Sequence, residues 1–270
     1  YIFIFTIPFL IIFLKDKRKI MSIICTTLLI FYFVIKGPIF NYFNVERSKT
    51  AEAYSIPLQQ MARVVALDYK ITGNDKKFLE NLWEYNKVAT SYRNITSDPI
   101  KTITNNEFLR NNKKDFIKTY LSLLMKHPKV YIEAYMMETI GYWYPDIIYW
   151  ATGSESKGIF EEEKVYNVPL TPSWYNKIID YTTSRSLPLS NILWSVGLSF
   201  IILLISSFIT AFYNKKILLC YVPLFGLWLS IMAATPVFCE LRYVYGLFAS
   251  FPLLILIPLI TAYEKKYNAK

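Results

Sequence analysis

Three stretches of this chain, residues 189–213, 217–236 and 243–263, carry no charged side chain at all. A helix needs about 20 predominantly apolar residues to cross the hydrocarbon core of a bilayer. Each stretch meets that length, so each is expected to be a membrane span. Residues 20–35 are interrupted only by Ser22 and by threonine and tyrosine hydroxyls. They make a further span if Lys36 snorkels and the helix runs on toward Phe40. Residues 1–14, with Thr6 as their polar member, are short for a crossing and are expected to be the tail of another span. No basic segment precedes them and no small-residue cleavage site follows, so they do not have the form of a signal peptide. Hydrophobic residues make up 54% of the chain and charged ones 19%, against about 45–50% and about 25% in average globular proteins. That excess excludes a disordered chain. Three cysteines exclude a disulfide-stapled scaffold, and a single histidine leaves no basis for a zinc site. No glycine-rich phosphate loop is present. Neither a metal nor a cofactor is expected.

The charges set an expected orientation. Lys15-Asp16-Lys17-Arg18-Lys19 separates the first two spans, Lys215 and Lys216 separate the third and fourth, and Glu264, Lys265, Lys266 and Lys270 follow the fifth. Threaded in order, these three basic segments fall on one side, which the positive-inside rule makes cytoplasmic. The long segment between spans two and three then lies outside. Most of the formal net charge of +10 is thus accounted for as topology signal, and no basic stripe is left to bind nucleic acid. The expected fold class is mainly α: a polytopic membrane protein with five transmembrane helices and a largely helical extracytoplasmic domain between helices two and three. The divisions are 1–36 (two spans and a basic loop), 37–188 (outer domain), 189–263 (three spans) and 264–270 (cytoplasmic tail). The partner implied directly is a lipid bilayer, and the expected location is a membrane crossed several times, with residues 37–188 outside and the C-terminus cytoplasmic.

The outer segment reads as helical. Pro57 suits the first turn of a helix carrying Leu58, Met61, Val64 and Val65. Asn74 or Asp75 can cap a second helix with Phe78, Leu79, Leu82, Trp83 and Tyr85 on its apolar side, and Gly73 suits the end of the helix before it. A third run starts at Asn111-Asn112, and a fourth runs from Pro128 to about Tyr144. Residues 151–172 read as loop. Seven aromatics crowd residues 131–150. An ordinary core, a helix lying in the headgroup zone and a sugar-stacking surface all fit them.

Charged residues beside apolar runs are the candidates for chemistry. Glu240, Arg242 and Tyr243 lie between the last two spans, just after Pro236. An arginine at such a depth can hold a lipid phosphate through its planar fork. A carboxylate two positions away points elsewhere on a helix, so the pair need not neutralise itself. Two solvated turn residues are the alternative. Gln59 and Arg63 are four apart on the helix opened by Pro57 and share a face, with Gln60 beside them and Glu52 upstream. That face suits a polar head group or plain solvent. Asp98-Pro99 and Pro145-Asp146 read as turns, and His127 as a helix-terminal residue interacting with the dipole.

The run Glu52-Ala53-Tyr54-Ser55-Ile56-Pro57-Leu58-Gln59-Gln60-Met61-Ala62-Arg63-Val64-Val65 resembles the start of the outer domain in a group of bacterial multispanning proteins, found mainly in Firmicutes. Arg185-Ser186-Leu187-Pro188-Leu189, Leu193-Trp194-Ser195 and the run from Pro236 to Phe248 resemble the same group. In layout that group is similar to lipid-dependent membrane glycosyltransferases of the GT-C type. Those often carry Arg-Tyr followed by Pro near a late outer-mouth helix, as Arg242-Tyr243 and Pro252 stand here. The resemblance implies an enzyme that moves a sugar from a polyprenyl-phosphate donor to a glycan acceptor outside the membrane. The catalytic residue stays unassigned, because GT-C proteins place an acid after their first span and this sequence is expected to be the C-terminal part of a longer chain. The alternative is a non-enzymatic component of an envelope polymer exporter, or a membrane-anchored scaffold.

Overall fold

The computed structural model describes residues 6–8, 11–12, 15–45, 49–147, 172–183, 194–235 and 237–268. Among them there is no β-strand, only isolated bridges. Four helical segments are long and apolar enough to cross a membrane: Lys15–Tyr42, Val196–Tyr213, Lys215–Ala234 and Leu241–Tyr267. The other span expected from the sequence, over residues 1–14, falls largely outside the described residues, as do the loop at 151–171, Tyr149, Trp150, Arg185–Leu189 and Pro236.

The first long segment is α1 (Arg18–Val34), extended by a π-type turn (Ile35–Ile39) around Pro38. Lys36 lies 5.7 Å from the Tyr32 ring centre and 5.9 Å from that of Phe40. Its ammonium is therefore held against aromatic faces near the end of the run. Cys25 is the one buried residue of α1, so this helix stands almost clear of the rest.

The described residues between the first two long apolar segments form α2 (Ser55–Ala66), α3 (Gly73–Leu82), α4 (Tyr85–Ser91), α5 (Asp98–Ile103), α6 (Asn106–Asn111), α7 (Lys113–Lys126), α8 (Pro128–Thr139) and α9 (Ser173–Thr183). Helices α4, α5, α7 and α8 pack on α2, and α3 and α6 pack on α7; Leu58, Met61, Ala62 and Val64 of α2 are fully buried together with Leu79, Leu82 and Leu109. Helices α2 to α8 are the interspan helices. A helix so enclosed has no broad solvated face, so the solvent reading of the Gln59 side of α2 is corrected. Gly73 does not end α2; it begins α3 with φ +67°, while Asp68, also left-handed at φ 56°, follows the end of α2. Trp83 and Tyr85 do not continue α3. Trp83 is extended and its indole donates to Thr104 Oγ1 at 2.8 Å. Asp98-Pro99 is not a free turn but opens α5, where proline's missing N–H costs nothing. His127 joins α7 to α8 and packs on Tyr69, ring centres 4.6 Å apart. Tyr131 and Tyr142 are fully buried, which gives those two aromatics the core reading.

The membrane bundle comprises α10 (Val196–Tyr213), α11 (Val222–Ala234) after a 3₁₀ stretch Lys215–Tyr221, α12 (Leu241–Ala249) and α13 (Phe251–Asn268). Helix α10 packs along α13, and the Lys265 ammonium donates to Phe212 O at 3.1 Å. Lys15 and Lys17 face the same cleft as Lys215 and Lys216. The three basic segments thus gather at one end of the bundle and the interspan helices sit at the other.

A polar knot closes the middle of the bundle. Pro258 has no N–H to give Leu254 O, four residues earlier, which leaves a carbonyl exposed in an apolar setting. Ser206 Oγ donates to that carbonyl. The Tyr221 hydroxyl lies 2.8 Å from both Ser206 Oγ and Thr210 Oγ1. Interhelical bonds of this kind are worth about 0.6–2 kcal/mol in a membrane. Ser206→Ala is expected to lower stability in detergent by about 1 kcal/mol. The double variant Ser206→Ala/Pro258→Ala is expected to recover much of that loss, because an alanine in place of the proline supplies the missing backbone donor. Thermal unfolding of both variants checks this, and additive losses would break the link between the proline and the serine.

Candidate functional site

The segment Ile140–Ile147, just past α8, joins the interspan helices to the bundle. Tyr142 is 0% exposed. Its hydroxyl donates to Val237 O at 2.9 Å and accepts from Glu240 N at 3.1 Å, and its carbonyl accepts from Trp228 Nε1 at 3.2 Å. Tyr135 donates to Met232 O at 3.1 Å. Ser195, the N-cap of α10, accepts from Leu198 N and donates to Pro145 O. Two glycines permit the approach. A Cβ on Gly141 would strike Cys239, and one on Gly197 would strike the Tyr144 backbone. A third strap comes from the turn between α4 and α5: Phe238 N donates to Ile95 O at 3.0 Å, and Thr96 bridges Val237.

This junction gathers the residues singled out in the sequence. On one side, Arg63 donates to Asn94 Oδ1 at 2.9 Å, to the Tyr92 hydroxyl at 3.3 Å and to Glu133 Oε2 at 3.1 Å. Burial alone would lower the Arg63 pKa; Tyr92 and then Glu133 outweigh it and raise it. On the other side, Glu240 sits at the N-cap of α12 in extended backbone. It is therefore not on the helix, and its carboxylate folds back onto Arg242 Nε as an ion pair. The expectation that the two groups point apart is corrected for that reason. Arg242 Nη2 donates to the Tyr243 hydroxyl at 3.2 Å, with the guanidinium 4.9 Å from that ring's centre. The Arg242 side chain remains 63% exposed. Asn94 links the two sides, since the carbonyl of its neighbour Ile95 holds Phe238.

The glutamines serve the interior. Gln60 donates to Tyr131 O at 3.0 Å and accepts from the Tyr120 hydroxyl at 2.8 Å, so its amide is used at both ends. Gln59, 0% exposed, donates to Arg93 O, while its Oε1 has no hydrogen-bond partner among the described residues. Glu52, upstream of α2, pairs with Lys101 at 2.6 Å, and Asp98 does the same. Burial works to lower the Lys101 pKa, but the hydrogen bonds and charges of Asp98 and Glu52 raise it.

Glu138 escaped the sequence reading. It is 0% exposed, and neither carboxyl oxygen has a well-formed hydrogen bond among the described residues. Burial pushes its pKa from 4.5 up to about 8; the nearby Ser97 hydroxyl and Lys101 charge pull it down only in part, and Asp98 adds to the rise. Burial thus favours its protonated form. A signal was present: Val130, Ala134 and Glu138 lie four apart on one stripe of α8, so an acid occupies an apolar face. Among the described residues no group of three or more His, Cys, Asp or Glu is placed to hold a metal ion.

Tyr142→Phe leaves Glu240 N and Val237 O unpaired in a dry contact, and is expected to cost about 1–3 kcal/mol. Exchange of the backbone amides at 237–241 would report the loosening, and unchanged protection would remove Tyr142 as the strap. For Glu138, the folded value lies above the unfolded one. Its contribution is therefore full below about pH 4.5 and is lost as pH rises toward about 8. The wild type is expected to lose on the order of 3 kcal/mol between pH 4.5 and pH 7 through this group. Glu138→Gln does not titrate and is expected to flatten the melting profile across that window; parallel profiles would place the buried titration elsewhere.

No curated protein and no solved structure matches this chain. A protein-family model described as a family of unknown function, DUF6020, matches residues 1–270. The match covers the interspan helices, the junction and the bundle together, and the chain belongs to that family.

Proposed function

We propose that this chain is an integral membrane protein of the cell envelope that takes a sugar from a polyprenyl-phosphate donor and passes it to a glycan acceptor on the side of the interspan helices. One observation carries the reading. Arg242, exposed on the first turn of α12, stands where an apolar helix meets the junction, and among the described residues its Nη1 has no partner. A polyprenyl chain would run along the apolar helix surface, and the guanidinium would meet the phosphate as it gains charge on leaving. Glu240 and the Tyr243 ring hold the guanidinium in place for that role, and Arg63 keeps the neighbouring turn in position through Asn94. The gathering of basic segments at the opposite end of the bundle supports an extracytoplasmic location for the junction.

The second reading is a scaffold or exporter component without catalysis. It is favoured by the pairing of Arg63 with Glu133 and of Glu240 with Arg242, which leaves both carboxylates occupied. Turnover of a labelled polyprenyl-phosphate sugar by the full protein separates the two. Arg242→Ala is expected to lower kcat/KM about 10²-fold, with Arg242→Lys partly active and both variants melting close to wild type. Equal turnover by Arg242→Ala would sink the transferase reading. Binding of wall glycan with no consumption of donor would support the scaffold.

A further inference from the structure

At the basic end of the bundle lies a cleft of about 1510 Å³. That exceeds the roughly 300–1,000 Å³ of a small-molecule site. Its long wall is apolar and comes from α10 and the start of α11, including Leu204, Phe208, Ala211 and Phe225. Its mouth is charged. Lys15 and Lys17 approach from the segment before α1, and Lys215 and Lys216 from the turn after α10, with Asp16 as the acidic member. Among the described residues none of these four ammonium groups has a carboxylate within ion-pair distance, whereas Lys101, Lys126 and Arg63 each do. Four cations without a carboxylate partner among the described residues stand at the end of an apolar wall, next to a helix that itself stands almost clear of the bundle.

We propose that this cleft binds an anionic phospholipid, with its phosphate between Lys15 and Lys17 on one side and Lys215 and Lys216 on the other, and its acyl chains along α10. The charge selects the occupant. A basic pocket between membrane helices at the positive end favours an anionic headgroup over a zwitterionic one, and the apolar wall demands chains that a free phosphate ester lacks. The lipid covers the face of α10 around Leu204 and Phe208 and ties the Lys15–Lys17 segment to the bundle. The site is separate from the junction and does not depend on the transferase reading.

The test uses the full chain in detergent, with retained lipid read by native mass spectrometry after exposure to vesicles of equal phosphatidylglycerol and phosphatidylcholine. Wild type is expected to retain phosphatidylglycerol in at least about fivefold preference. Lys15→Gln/Lys17→Gln/Lys215→Gln/Lys216→Gln is expected to retain the two equally. Lys113→Gln/Lys114→Gln, on the interspan helices, is expected to behave as wild type. Ala211→Trp, which fills the apolar wall and leaves the lysines in place, is expected to lose the preference as well; it also decides the matter if the quadruple variant does not fold. The proposal is overturned if wild type shows no preference, if Ala211→Trp keeps it, or if glycerol phosphate without acyl chains displaces the lipid at equal concentration.

Discussion

The contact of Tyr142 with the backbone at 237–240 is what makes one molecule of two differently built parts. The interspan helices have their own core around α2, and the spans have theirs around α10. Without a bond between them, the interspan helices would hang from α1, which packs against little else. Tyr142 enters the bundle core with a hydroxyl that satisfies one donor and one acceptor of the incoming chain. Gly141 lets the backbones close over it, since any side chain there would meet Cys239. A buried hydroxyl with both partners in place contributes stability; with either missing it costs more than it gives. The contact is therefore close to all-or-none.

The two ends of the bundle obey opposite constraints. At the junction end, charges are partnered within the protein: Arg63 with Glu133, Lys101 with Glu52 and Asp98, Arg242 with Glu240. At the far end the lysines of the cleft have no carboxylate partners among the described residues. Unpaired cations beside apolar helices are stable where anionic headgroups or water reach them. Between the ends, the polar groups are hydroxyls and a proline-freed carbonyl, satisfied by one another across α10, α13 and Tyr221.

Glu138 belongs to neither pattern. It is an acid whose protonated form is favoured by burial beside Ser97, close to the turn that straps the interspan helices to the 237–238 segment. Replacing it with an apolar residue of similar size would remove a titrating group from the joint, so its presence makes the stability of that joint depend on pH.

Much of the architecture was legible in the residues themselves. Long uncharged runs specify membrane helices because no other environment satisfies both their side chains and their backbone, and the spacing of Leu58, Met61 and Val65 specifies a helix with a core side. The lysine segments showed which helix ends belong together. Three things were decided only by tertiary packing. Whether α2 has a wet face depends on how many neighbours surround it, and hydrophobic spacing cannot count them. Whether Glu240 reaches Arg242 depends on the N-cap backbone, since one residue off the helix redirects the side chain. That Gln59, Arg63 and Glu240 flank one joint depends on Tyr142 and the turn at 94–97 pairing with the far-off 237–240 segment. Local sequence carries local propensity, whereas a site built from distant segments exists only once the backbone hydrogen bonds between them are made.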